Sequence, residues 1–287
     1  MLKKNHLTDS CSFGAASLRA ILLFALLAFS WNAAAGEKLV SITNKKSNGL
    51  TSFYVQNLQS ADVTVTLEAR LTNYKSEKAL PYTLTVPAKS KVEAFTLTPV
   101  EANTDSSWSY TYYATWGNLT ARHDDTYVYS LPFAPGEAYA VSQGFHGAYS
   151  HTGGDSFAID FKMDPGTHVH AARGGVVVGS RDDSSVGGPD KKFEWDANYV
   201  LIKHDDGTLG HYVHLQKGGN RVKVGDIVKA GDWIGLSGNT GHTTGPHLHF
   251  AVFKAQDGKS RQTFPVRFNA NGLMAQTLKE GASYRAL

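Results

Sequence analysis

An almost entirely β-stranded protein, built as two units in tandem, is what the sequence predicts. Three observations carry this. Short period-2 alternations of apolar and polar residues recur from residue 37 onward. β-branched and aromatic residues fill them, with an aromatic share of 11%. No apolar stripe of helical period and useful length stands out. The expected architecture is an N-terminal β-sandwich-like module over residues 37–133, followed by an antiparallel β-sheet domain over residues 134–287.

At 41% hydrophobic and 18% charged, the chain has enough apolar residues to bury a core and does not read as disordered. A formal charge of +3 gives no reason to expect a nucleic-acid partner. Residues 1–35 read as an export signal. Lys3, Lys4 and Arg19 precede the apolar run from Ala20 to Trp31, and the small residues Ala33, Ala34 and Ala35 follow it. That run falls short of the roughly 20 apolar residues needed to cross a bilayer. The expectation is therefore cleavage, an exported (periplasmic or secreted) product, and no stable membrane span. The single cysteine, Cys11, lies before the apolar run and leaves with it. A mature chain without cysteine has no disulfides and no thiolate ligands, so any metal must be held by His, Asp or Glu.

In the first unit, the stretch from Asp62 to Arg70 alternates strictly, with Val63, Val65, Leu67 and Ala69 on one face. Tyr82 to Val86 does the same, Val92 to Leu97 less strictly, and Trp108 to Trp116 is aromatic and β-branched. Turn residues at 87–90 and 103–107 separate them. No cluster of catalytic residue types occurs there, which suits a binding or spacer module. The boundary is expected at Leu131-Pro-Phe-Ala-Pro-Gly136, where two prolines and a glycine oppose regular structure. Beyond it, strands are expected at 175–179, 199–204, 209–215, 222–228, 233–237 and 248–253. Asp205-Asp-Gly207 forms a hairpin turn between the second and third.

Ten of the 12 histidines fall between His146 and His249. Imidazole serves both metal binding and acid–base chemistry. In Pro246-His-Leu-His-Phe250, strand alternation puts His247 and His249 on one face and Leu248 and Phe250 on the other. The glycine-rich approach from Ser237 to Pro246 allows tight turns beside a cleft. His168 and His170 form a rival pair with an edge strand as the plain reading, and His204 reads as structural. His211 and His214, three apart in a strand, are expected on opposite faces, so that only one can face a site. Val213 and Leu215 are expected in the core, leaving His214 towards the cleft. Asp160 lies in Phe157-Ala-Ile-Asp-Phe161, with Phe157, Ile159 and Phe161 on the other face. A carboxylate there needs a metal or a basic partner. His151 lies nine residues earlier in a loop that could return to the strand.

From about Val141 to Lys254 the chain resembles the LytM/lysostaphin-type zinc endopeptidases, the M23 peptidases that cut peptidoglycan peptides. The likeness rests on Ala158-Ile-Asp-Phe161, Pro165-Gly-Thr-His-Val169, Tyr212-Val-His-Leu215, Val224-Gly-Asp-Ile-Val228 and Gly245-Pro-His-Leu-His-Phe250. It implies a LytM-like antiparallel sheet, one Zn2+ per chain on His151, Asp160 and His249, and catalytic roles for His247 and His214. It also implies peptidoglycan stem or cross-link peptides as substrate. One departure stands out: the family's His-x3-Asp spacing is His-x8-Asp here, which leaves His146 and Asp155 as alternatives for the first ligand. Two His and one carboxylate leave a position open, as a catalytic zinc requires.

Other chemistries fit poorly. Gly235-Leu-Ser-Gly238 breaks the serine-hydrolase spacing. Gly258-Lys-Ser260 lacks the phosphate loop's first glycine and reads as a hairpin turn. The alternative to an enzyme is an inactive cell-wall-binding or regulatory module on the same fold.

Overall fold

Every second residue from Val63 to Leu67 is apolar, and the structure turns that alternation into a fully buried face. The computed structural model describes residues 38–287 and the short strand Asn5–Leu7. The expected leader, with Cys11, lies outside the described residues apart from that strand, which runs antiparallel to Ser107–Trp116. Ser107–Trp116, Val63–Thr72 and Tyr82–Val86 form one antiparallel sheet. Val40–Ser47, Leu50–Asn57, Lys91–Pro99 and Tyr74–Ser76 form a second. Their inner faces meet in one core, in which Phe53 stacks on Phe95 at 4.8 Å and meets Trp108 edge-on at 4.9 Å. This is the expected sandwich.

The second unit is built on a nine-stranded sheet. Its order is Ile227–Val228, Gly175–Arg181, Tyr199–Lys203, Leu209–Val213, Leu248–Ala255, Ile159–Phe161, Ala138–Gln143 and Ser283–Arg285, with Arg261–Thr263 also paired to Leu248–Ala255. All neighbours are antiparallel. The expected strand at 222–228 is reduced to Ile227–Val228, because residues 223–226 form a turn in which Asp226 accepts from the Lys223 amide. One face of the sheet carries Val200, Ile202, Tyr212, Leu248, Phe250 and Val252 into the larger core. Tyr129, Leu131 and Phe133 pack into that same core, ahead of the expected boundary, and Val128–Ser130 pairs in parallel with Arg267–Ala270.

The opposite face does two things. At one end Leu201, Leu209 and Phe253 pack against Ala61 and Trp116 of the sandwich. Further along the same face, His211, Val213, Asp160 and His249 border a cleft. The expected hairpin turn holds: Gly207 has φ +83° between strands ending at Lys203 and starting at Leu209. No helix among the described residues is long and apolar enough to cross a membrane.

Candidate active site

Asp160 and His249 are direct cross-strand partners, so their side chains share a face. Their neighbours Ile159, Phe161, Leu248 and Phe250 are buried on the other. The alternation read from the sequence thus aims Asp160 and His249 together, with Asp160 Oδ1 2.9 Å from His249 Nδ1. His151 arrives from the loop between Ala138–Gln143 and Ile159–Phe161 and is completely buried. Its Nδ1 donates to the Gly144 carbonyl at 2.8 Å, and its Nε2 lies 3.2 Å from Asp160 Oδ1. Gln143 holds both parts: its amide nitrogen donates to Ser150 Oγ at 2.7 Å and to Asp160 Oδ2 at 3.1 Å, while its oxygen accepts from the Tyr149 and Ser150 amides. One ligand atom each from His151, Asp160 and His249 lies within 4.8 Å of the others.

The electrostatics of this group favour a cation. Burial would raise the Asp160 pKa, but hydrogen bonds with His151 and His249 outweigh it and hold the carboxyl well below the usual range. Burial likewise disfavours charge on His151, yet Asp160 raises its pKa. With its Nδ1 proton committed to Gly144, a neutral His151 offers only a lone pair towards the carboxylate. A proton or a metal ion must sit between them. Two imidazoles and a carboxylate, one ring held by a backbone carbonyl, form a donor set that suits zinc.

His247 opens the Leu248–Ala255 strand through a bridge to Gly238. Its Nδ1 donates to the Gly245 carbonyl at 2.8 Å, which leaves Nε2 3.7 Å from Asp160 Oδ2. His214 stands beside it, with ring centroids 4.5 Å apart. Its Nδ1 donates to the Thr240 carbonyl at 2.7 Å. Burial, and then the neighbouring His247 and His249, push its pKa down to about 3. The glycine-rich turn makes this possible. Gly241 has φ +81°, and a Cβ there would lie 2.5 Å from Ala197 Cβ.

The expectation that His211 and His214 point apart is overturned. The strand ends at Val213, and His214 adopts φ +67°, so alternation stops before it. His211, Val213 and His214 all line the cleft, and only Leu215 is in the core. The cleft has a volume of about 240 Å³ and is also bordered by Tyr149, Glu194, His242 and Arg261. Sequence reading missed these and Gln143. Parity misleads at Gln143: two residues beyond the core residue Val141 it should share that residue's face, and a register shift between them instead brings it opposite Asp160. The other four come from distant turns and from the return strand of a hairpin.

Of the alternatives for the first ligand, Asp155 also borders the cleft and His146 does not. His146 is exposed and meets the edge of Phe157 at 4.8 Å. Asp155 is paired with Arg261. His168 stacks on Trp233 at 4.3 Å, His170 donates to the Gly231 carbonyl, and His204 is buried against Gly174, all away from the cleft.

Residues 154–262 match the family model of Peptidase family M23. This region is an M23 peptidase domain. Asp160, His214, His247 and His249 fall inside the match, and His151 just ahead of it. Over 93 residues the chain is 44% identical to the peptidoglycan DD-endopeptidase ShyA of Vibrio cholerae, covering 32% of this chain and 19% of that protein. Over 117 residues it is 42% identical to lysostaphin of Staphylococcus simulans, covering 40% of this chain and 22% of that protein. The chain thus spans about a fifth of the length of these relatives. The solved catalytic domain of Staphylococcus simulans lysostaphin is 29% identical, with a TM-score of 0.32, over 44% of this chain and 87% of that one.

Proposed function

We propose that the M23 domain is a zinc-dependent endopeptidase acting on amide bonds in peptidoglycan peptides. The observation that carries this is the convergence of His151 Nε2, Asp160 Oδ1 and His249 Nδ1 at a cleft that also holds His214 and His247. The names of the relatives supply the substrate class: one is a peptidoglycan DD-endopeptidase, and another of similar identity is the glycyl-glycine endopeptidase ALE-1 of Staphylococcus capitis. An exported protein follows from that substrate and from the N-terminal sequence.

In this reading His151, Asp160 and His249 hold the ion, with Gly144 and Gln143 orienting them. Zinc held there supplies a Lewis acid that polarises the scissile carbonyl and activates water. In the neutral form, with Nδ1 donating to Gly245, His247 keeps its lone pair on Nε2, and in that form it accepts the proton of the attacking water and returns it to the leaving amine. His214 is neutral with its proton on Nδ1, so its Nε2 accepts a hydrogen bond and orients the water. Without a proton on Nε2, it has none to offer the oxyanion. The sandwich module, whose described residues hold no cluster of this kind, covers the far end of the same sheet face and contributes no residue to the cleft lining.

The test is a digest of purified peptidoglycan by the mature chain, read by mass spectrometry with and without a chelator. New amine and carboxyl termini that vanish with the chelator are expected. Binding to peptidoglycan without cleavage would instead indicate an inactive wall-binding module.

A further inference from the structure

His151 belongs to a loop, and something other than strand pairing must hold it beside Asp160. The first half of that loop hangs on Gln143. The second half lies on the hairpin strand Arg261–Thr263. Arg261 Nε donates to Asp155 Oδ1 at 2.6 Å, and Arg261 Nη2 contacts the same oxygen. Thr263 Oγ1 accepts from the Phe157 amide at 3.0 Å. Gly154 lies so close that a Cβ there would be 2.5 Å from the Arg261 carbonyl oxygen.

Arg261 is only 7% exposed. Its guanidinium lies over the Phe253 ring at 4.9 Å, and its Nη1 is 3.3 Å from His211 Nδ1. Burial would raise the Asp155 pKa, but the Arg261 charge outweighs it and lowers it. A partly buried ion pair such as this adds little stability but can fix registry, because a guanidinium fork accepts its partner in few geometries. The hairpin is itself braced at its turn. Gly258 donates to Thr66 Oγ1 at 2.9 Å and accepts from Thr115 Oγ1 at 3.0 Å, and Lys259 pairs with Glu68, all three partners belonging to the sandwich.

We propose that Arg261 and Asp155 are positioning residues for the metal site, locking the loop over residues 152–158 onto the sheet so that His151 stays aimed at Asp160 and His249. This rests on the metal-site reading given above. It also gives the longer His-x8-Asp spacing a physical compensation: the extra residues carry their own anchor.

The experiment compares full chains carrying Asp155→Asn, Arg261→Gln or Arg261→Lys with the unsubstituted one. Zinc affinity is measured by chelator competition, and hydrogen exchange of the loop amides at 147–158 is followed without metal. Zinc binding roughly 10-fold weaker or more is expected for the Asn and Gln variants, by analogy with residues that orient ligands. Lys, which keeps the charge but loses the fork, should recover only part of the affinity, and the loop amides should exchange faster in all three. In a His151→Ala background, Arg261→Gln should change the remaining affinity little. An equal loss in that background would show a general effect on the fold and overturn the assignment, as would unchanged affinity and exchange in folded variants. Should Arg261 variants fail to fold, Thr263→Val, which removes the acceptor for the Phe157 amide, should still speed loop exchange and weaken zinc; no change in either overturns the assignment. If the unsubstituted chain binds no zinc, the metal-site reading falls, whereas loop exchange in the metal-free chain still decides whether the pair holds the loop.

Discussion

Replacing His214 by asparagine should slow the enzyme and, in acid, stabilise the metal-free protein. Asparagine suits the site because it tolerates the left-handed backbone that His214 occupies at φ +67°. At neutral pH the variant loses the bond to Thr240 and some ring packing, so it should be less stable by roughly 1–2 kcal/mol. The acid effect runs the other way. The folded pKa of His214 is pushed down to about 3, below the 6.5 of a free imidazole. The unfolded chain therefore binds a proton that the folded one refuses. Stability from this group is complete above the unfolded pKa and is lost as pH falls towards the folded one. At about pH 4.5, two units below the unfolded value, the loss is about 2.7 kcal/mol. The wild-type chain suffers it and the asparagine variant does not, so the ranking should reverse. Urea unfolding of both chains with chelator present, at neutral pH and at about pH 4.5, measures this. A stability gap that does not change with pH would refute the buried neutral imidazole. Zinc content should be unchanged, and turnover should fall by about 10²-fold or more.

Three further outcomes are expected. His247→Ala should keep zinc and lose turnover by roughly 10²-fold or more, measured on a soluble cross-link peptide at equal metal content. Gly241→Ala should destabilise the chain by about 2 kcal/mol or more, since its φ of +81° and the 2.5 Å approach to Ala197 both oppose a side chain. It should also lower turnover by displacing the Thr240 carbonyl that holds His214, and a fully active, equally stable variant would count against that link. His204, whose pKa is pushed down to about 4 by burial, adds a second acid-labile contribution. His204→Leu should flatten the pH dependence of stability below about pH 6.5, by about 1.4 kcal/mol per pH unit.

The faces of Asp160 and His249 were legible because both lie in strands whose alternate residues are strongly apolar, whereas the pairing of those two strands, 89 residues apart, was not. The same logic put His247 beside His249. Parity failed at His214 because it describes only residues inside a strand, and the left-handed backbone after Val213 returns the next ring to the cleft. The sandwich was legible from Val63, Val65 and Leu67, but not its seat on the nine-stranded sheet. Thr64 and Thr66 look solvent-facing in an alternating strand, yet both are buried, and Thr66 bonds to Gly258 of the other unit. Prolines 132 and 135 mark turns, but Tyr129, Leu131 and Phe133 already belong to the second core, which a composition break does not reveal. Arg261 and Asp155 are 106 residues apart, and no local pattern announces such a pair.

His151, Asp160 and His249 are proposed to hold one zinc. Metal content after exhaustive dialysis, measured by mass spectrometry on the purified mature chain and on single variants, tests this most directly. One zinc per chain is expected for the unsubstituted protein and for His146→Ala, and little or none for His151→Ala, Asp160→Asn and His249→Ala. Full occupancy in Asp160→Asn or His249→Ala, or zinc retained in His151→Ala but lost in His146→Ala, would contradict the assignment.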